Sequence, residues 1–229
     1  MRVPDVARVR WTGSVRLVPA SYPPVRLFED AATPADLDTV LAVLRITDPQ
    51  TAAAAGDLSL VAPEARVSGP GSSPIMAAFT HPSPDGSRFA AASSGAYCVA
   101  HDLDTAIREI RFHQTRRLMA ASLGSTKVVL NVYLASIDVR LHDVRAARRR
   151  FPDAYVTDPV EYARSQAMAR QLRAAGSSGI AYDSVRNTGG QCVALFDPRA
   201  VTLPVEQRGQ VVYRWDAKQR CIAEVSTRS

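Results

Sequence analysis

A single well-marked helix followed by a run of strands limits the folds open to this chain. The helix is written in "DPVEYARSQAMARQLRAAG": Asp158 caps it, Pro159 takes its first position, Glu161 can close a capping box and Gly176 ends it. After it come "GIAYDSV", "QCVALF" and "GQVVYRW", three β-rich stretches separated by turn residues, with "CIAEVS" as a hairpin partner for the last. A doubly wound parallel sheet needs a crossover helix between successive strands, so this order argues against it. The order is also not all-β. We therefore expect an α+β fold, one compact domain in which mixed β-sheets are flanked by helices.

Residues 1–24 look extended, with "RVRWTGSVRLV" forming a hairpin around Thr12-Gly13 and "YPP" closing the segment, and they are expected to be an N-terminal extension ahead of a domain over 25–229. Thr33 as cap and Pro34 at the first position begin a helix over about 34–46. Gly56 to Pro74 is rich in Gly, Pro and Ser, the mark of a functional or a mobile loop. "IMAAFTH" is expected to be a strand and "PSPDGS" a turn. "GAYCVA" reads as a buried strand, and Asp102 or Asp104 caps the next helix, with Ile107, Ile110 and Leu118 along one face. "KVVLNVYLASIDVRL" is β-branched and aromatic enough to be the longest strand.

Composition excludes several classes. The 229 residues are 46% hydrophobic and 22% charged, which suits an ordinary globular core and not a disordered chain. No apolar run approaches the ~20 residues of a membrane helix. The start "MRVPDVARVRWTG" lacks the apolar centre of a signal peptide, so a cytosolic protein with no membrane partner is expected. Cys98, Cys192 and Cys221 are an odd count without a CxxC and read as reduced core residues. A formal charge of +6 suits an anionic partner of unspecified kind. Its densest stretch, "RAARRR" from Arg145 to Arg150, reads as the solvated end of a short helix, with a docking surface as the alternative.

Spacing sets aside the familiar sites. The four histidines, His81, His101, His113 and His142, make no HExxH or HxH pattern, and no metal site is expected. GxSxG, GxxxxGK[ST] and GxGxxG are all absent. Glu109 has no second acid facing it, as a glycosidase would require. What remains is one carboxylate with arginines and aromatic rings close by. One carboxylate suffices when the leaving group needs no proton. In NAD+ the ribose–nicotinamide bond releases a neutral base from a cationic one, so the barrier is electrostatic and a preorganised carboxylate lowers it. Arginine forks suit the diphosphate, and a tyrosine face suits the nicotinamide ring.

The stretches "VRLF" at Arg26, "IMAAFTHPSPDGSRF", "GAYCVAHDLDTAIREIRFH", "EYARSQAMARQLRAAGSSGIAYDSVR" and "GGQCVALFDP" resemble the RES-domain family, toxins of bacterial toxin–antitoxin pairs named for an arginine, a glutamate and a serine. The resemblance implies a fold akin to ADP-ribosyltransferases and activity on NAD+ as substrate, without a metal. It implies that Arg26, Glu109 and Ser184 are the named trio, with Arg88 and Tyr97 also in the pocket. Glu109, Arg26 and Tyr97 are then the catalytic candidates, and Arg88, Ser184 and Phe112 the NAD-binding ones. It also implies an Xre-like antitoxin whose C-terminal tail closes the active site.

Each residue also has a structural explanation. Glu109 sits where a helix dipole favours an acid, Arg88 is a loop arginine, Tyr97 suits a sheet core, and Arg26 beside Leu27-Phe28 suits a half-buried structural role. Ser184 ends "GIAYDS", where a hydroxyl commonly satisfies a turn, and no histidine is placed to make it a nucleophile. Phe112 and His113, three and four residues after Glu109, share its helix face. Tyr162, Ser165 and Gln166 match the family, and a solvated helix face explains them equally well.

Three functions follow. The first is an NAD+-consuming toxin that passes the ADP-ribosyl group to water or phosphate. The second is a mono-ADP-ribosyltransferase with a host protein as acceptor. The third is a non-catalytic basic module that binds nucleic acid or a protein partner, with affinity that falls steeply with salt.

Overall fold

The structure is a computed structural model that describes residues 3–22 and 25–228. The chain runs β1 (Val6–Pro19), α1 (Leu27–Asp30), α2 (Leu37–Thr47), α3 (Pro49–Ala54), α4 (Ser73–Thr80), β2 (Tyr97–Ala100), α5 (Leu103–Ala120), β3 (Thr126–Asp143), α6 (Tyr162–Ala174), β4 (Gly179–Asp183), β5 (Gln191–Leu195), β6 (Thr202–Asp216) and β7 (Cys221–Arg228). The fold is α+β, as the element order requires. Its seven strands are ordered β1-β2-β5-β4-β3-β6-β7, and an added β1–β3 pairing closes the first five on themselves. Among the described residues β3 and β4 run parallel and every other strand pair is antiparallel.

The sheet separates two cores. On one face Trp11, Ile137, Leu141 and Val193 pack with Phe28, Leu37, Ile75 and Met76 from the N-terminal helices. On the other, α5 and α6 bring Ala106, Leu118, Met168 and Leu172 against Val15, Ile180, Tyr182 and Tyr213. Both faces are apolar, which is why β4 and β5 read as continuous hydrophobic runs. No helix among the described residues is long and apolar enough to cross a membrane.

Thr12-Gly13 does not turn the chain. Residues Val6–Pro19 form one strand that pairs with β3 along its length, so the segment expected as an extension is part of the central sheet. A β-bulge replaces the hairpin: Trp11 faces Ile137 and Ser14 faces Ala135, leaving one extra residue on β1. Ser14 Oγ donates to Ala135 O at 2.7 Å inside the bulge. Because side chains alternate with period two, one inserted residue exchanges the faces. Val9 and Trp11 point into the first core, Val15 and Leu17 into the second, and Arg16 inherits the side that Trp11 faces.

Two further expectations are corrected. "IMAAFTH" is helical, not a strand. Pro74 sits in the first turn, and seven of the eight residues of α4 are buried, so its short apolar run carries no period that separates helix from strand. Ser72 and Ser73 anchor its start, their hydroxyls donating to Phe28 O and Val25 O. "RAARRR" follows β3 as turns, not a helix end. Asp143 binds the Arg145 guanidinium and backbone N–H, and Asp183 accepts from the Ala146 N–H at 2.7 Å. Those side-chain acceptors replace the carbonyls a helix would offer.

Candidate functional site

Glu109 lies inside α5, whose start is set by Asp102: its carboxylate accepts from the Thr105 N–H and hydroxyl, both at 2.8 Å. The loop after β4 folds back onto that first turn. Asn187 Nδ2 donates to Thr105 Oγ1 at 2.9 Å and to Asp104 Oδ2 at 3.2 Å. Gly190 lies so close to the Thr105 side chain that a Cβ there would collide with it. With the loop pinned in this way, Ser184 and Arg186 fall beside the carboxylate. Ser184 Oγ donates to Glu109 Oε1 at 2.6 Å, and Arg186 Nη1 donates to Oε2 at 2.9 Å.

Both carboxylate oxygens are thus engaged. The pair is shielded from water, the side chains of Arg186 and Glu109 being 10% and 17% exposed. Arg186 Nη2 reaches Tyr162 Oη at 3.2 Å and Thr157 O at 3.3 Å, and its guanidinium lies over the Phe112 ring, 3.9 Å from the centroid. His113 is next on this helix, its ring edge-on to Phe112. Burial and then the Arg186 charge push the His113 pKa down to about 4, although Glu109 pulls the other way, so the imidazole is neutral at pH 7.

Arg88 supplies a second cation. It is 6% exposed, its Nη1 donates to Val156 O at 2.6 Å, and its guanidinium faces the rings of Tyr162 and Tyr182 at 5.5 and 5.8 Å. No carboxylate is among these contacts. A buried guanidinium without a carboxylate is a place for an anion brought by a ligand. Gln166 Nε2 holds the Arg88 loop through Ser87 O at 3.0 Å.

The RES domain family model matches residues 63–216, about two thirds of the chain and the whole of this cluster. The chain belongs to the RES-domain family. The crystal structure of the M. tuberculosis MbcT-MbcA toxin-antitoxin complex superposes at a TM-score of 0.45 and 9% identity, over 94% of this chain and 89% of that one. A search of curated proteins finds no significant match.

Within the RES domain, Glu109, Ser184, Phe112 and Arg88 gather on the α5 side of the sheet. Tyr97 occupies the other face of β2: it and Val99 belong to the first core, whereas Ala100 and Cys98 pack toward α5. There Tyr97 meets Arg16, whose guanidinium lies 4.9 Å from the ring centroid and donates to Cys98 O at 3.0 Å. Tyr97 Oη and Arg16 Nε are both buried without a hydrogen-bond partner among the described residues. Burial raises the Tyr97 pKa to about 12, which keeps the phenol a donor. Beside them β1 and β2 share a single registered pair, Val15 with Ala100.

Arg26 does not join either group. It caps the one-turn α1, its side chain is 83% exposed, and it pairs with Asp30 at 3.2 Å on the same helix. The helix start aims it at solvent. Arg16 lies in "RVRWTGSVRLV", whose hairpin pattern hides its inward direction, and Arg186 is signalled only by "DSVR", two residues after Ser184. Tyr162, which a solvated face would have explained, is buried and hydrogen-bonded to Arg186. Among the described residues no three His, Cys, Asp or Glu side chains gather as a metal site.

Proposed function

We propose that this RES-domain chain is the toxin of a toxin–antitoxin pair and that it splits NAD+ between ribose and nicotinamide, passing the ADP-ribosyl group to water or phosphate. The observation that carries this reading is Glu109, a shielded carboxylate oriented by Ser184 among cations and aromatic rings. The C1′–N1 bond breaks with its electron pair leaving on the pyridinium nitrogen, which becomes neutral nicotinamide and needs no proton. Positive charge grows on C1′ and O4′, where a fixed carboxylate lowers the barrier. The acceptor oxygen then bonds C1′ and gives up its proton. Arg88, buried without a carboxylate, is the candidate for the diphosphate, and the Tyr97 phenol and Arg16 Nε, both buried without a hydrogen-bond partner among the described residues, are candidates for further ligand oxygens.

The partner in this reading is an Xre-like antitoxin with a tail that covers the site, and the formal charge of +6 suits an acidic tail. Purified protein given NAD+ labelled in the adenylate half, with and without phosphate and cell lysate, tests the reaction. Loss of NAD+ with label only in small products supports breakdown; label on a protein band moves the acceptor to a host protein. Intact NAD+ in every arm removes the reading.

A further inference from the structure

The Arg186 guanidinium is a planar cation stacked on an aromatic ring and paired with the one carboxylate of the site. That is also the description of the group the proposed substrate must bring there, a flat pyridinium beside Glu109. The two cannot share the position. With Nη1 at 2.9 Å the arginine cancels the charge on which transition-state stabilisation depends. The seat is imperfectly satisfied as well, because Arg186 Nε is buried without a partner among the described residues. By contrast Arg145, in a purely structural pair, has Nε, Nη1 and Nη2 all bonded. Arg186 keeps two anchors away from Glu109, Tyr162 Oη and Thr157 O, both on Nη2, on which the guanidinium can pivot once Nη1 lets go.

We infer that Arg186 is an internal competitor for the substrate's cationic ring and so a specificity-determining residue: only a planar cation can replace it at Glu109, which favours oxidised pyridinium dinucleotides over their neutral reduced forms. The inference rests on the NAD+ reading for its substrate, but its core, competition between two cations, is tested without dinucleotide.

Isothermal titration calorimetry on the full chain, with 1-methylnicotinamide as the cationic probe and nicotinamide as its neutral counterpart, compares the parent with Arg186→Ala and Arg186→Lys. Arg186→Ala is expected to bind the cation about tenfold more tightly, equivalent to about 1.4 kcal/mol. The neutral ring should bind as in the parent. Arg186→Lys should give a smaller gain, since an ammonium pairs with Glu109 but stacks poorly on Phe112; it carries the test should the alanine variant fail to fold. Unchanged, weaker or undetectable cation binding in the variants overturns the inference, as does an equal gain for the neutral ring, which would make Arg186 a steric plug. Failure of the NAD+ reading is separable: it appears as intact NAD+ with the parent protein while the cation still gains affinity.

Discussion

Ser184 Oγ donates a 2.6 Å hydrogen bond to Glu109 Oε1, joining residues 75 apart in the chain. Ser184 Oγ in turn accepts from the backbone N–H groups of Arg186 and Asn187, at 3.1 and 2.9 Å. Its hydrogen-bonding capacity is committed to orienting the acid and shaping the loop, which is a positioning role and not that of a nucleophile. Ser184→Ala leaves two N–H groups without their acceptor and is expected to cost about 1–3 kcal/mol of stability. Urea denaturation measures that loss, and turnover should fall alongside it.

Glu109→Gln keeps the size of the side chain and removes its charge. Turnover of NAD+ is expected to drop by about 10²–10³-fold, the scale on which preorganised electrostatic groups act. Growth arrest on expression should disappear while the circular dichroism spectrum stays that of the parent. A variant as toxic as the parent ends the assignment.

Tyr97 offers a test in which stability and activity part. Its hydroxyl is buried and unpartnered within the described residues, so Tyr97→Phe removes an unsatisfied polar group and should leave the protein as stable or about 1 kcal/mol more stable. Turnover should nevertheless fall, because a phenol is withdrawn from the ligand. A lowered melting temperature would show that the hydroxyl already has a structural partner.

Arg88 and Arg26 are expected to behave oppositely. Arg88→Ala opens a buried cation site and should raise KM for NAD+ by tenfold or more, on the scale of about 1.5–3 kcal/mol for a hydrogen bond to a charged group. Arg26→Ala removes an exposed, solvent-screened pair with Asp30 and should leave KM and stability near the parent values. Steady-state kinetics on both variants separates the two arginines, and an Arg26→Ala defect equal to that of Arg88→Ala would return Arg26 to the site.

His113 couples stability to pH. Its folded pKa, about 4, lies below the ordinary 6.5, so the unfolded chain binds the extra proton first as the solution is acidified. The stabilisation is whole above pH 6.5 and is lost progressively as pH falls toward 4, by ~3 kcal/mol at most. His113→Gln should flatten the decline in urea midpoint between pH 7 and pH 4.5. An unchanged slope would assign that decline to other groups.

Much of the fold was legible because its signals are local. Asp102 at the start of α5, Pro34 in the turn before α2, Gly176 with φ +75 after α6 and the hairpin β6–β7 all rest on residues a few positions apart, where side chain and backbone meet regardless of the rest of the chain. Glu109 was singled out by its place among arginines and rings and, above all, by the resemblance to the RES-domain family. The meeting of Glu109 with Ser184 and Arg186 was not legible from periodicity, since a loop 75 residues away must be folded onto α5 by Asn187 and Gly190. Nor were the directions of Arg16 and Arg26. One extra residue on β1, opposite Ile137 and Ala135 of β3, turns Arg16 inward, and the start of α1 turns Arg26 outward. Local order belongs to the sequence because it is decided by neighbours. Which side of a sheet a side chain faces depends on pairing with a strand more than a hundred residues on, and only the assembled structure settles that.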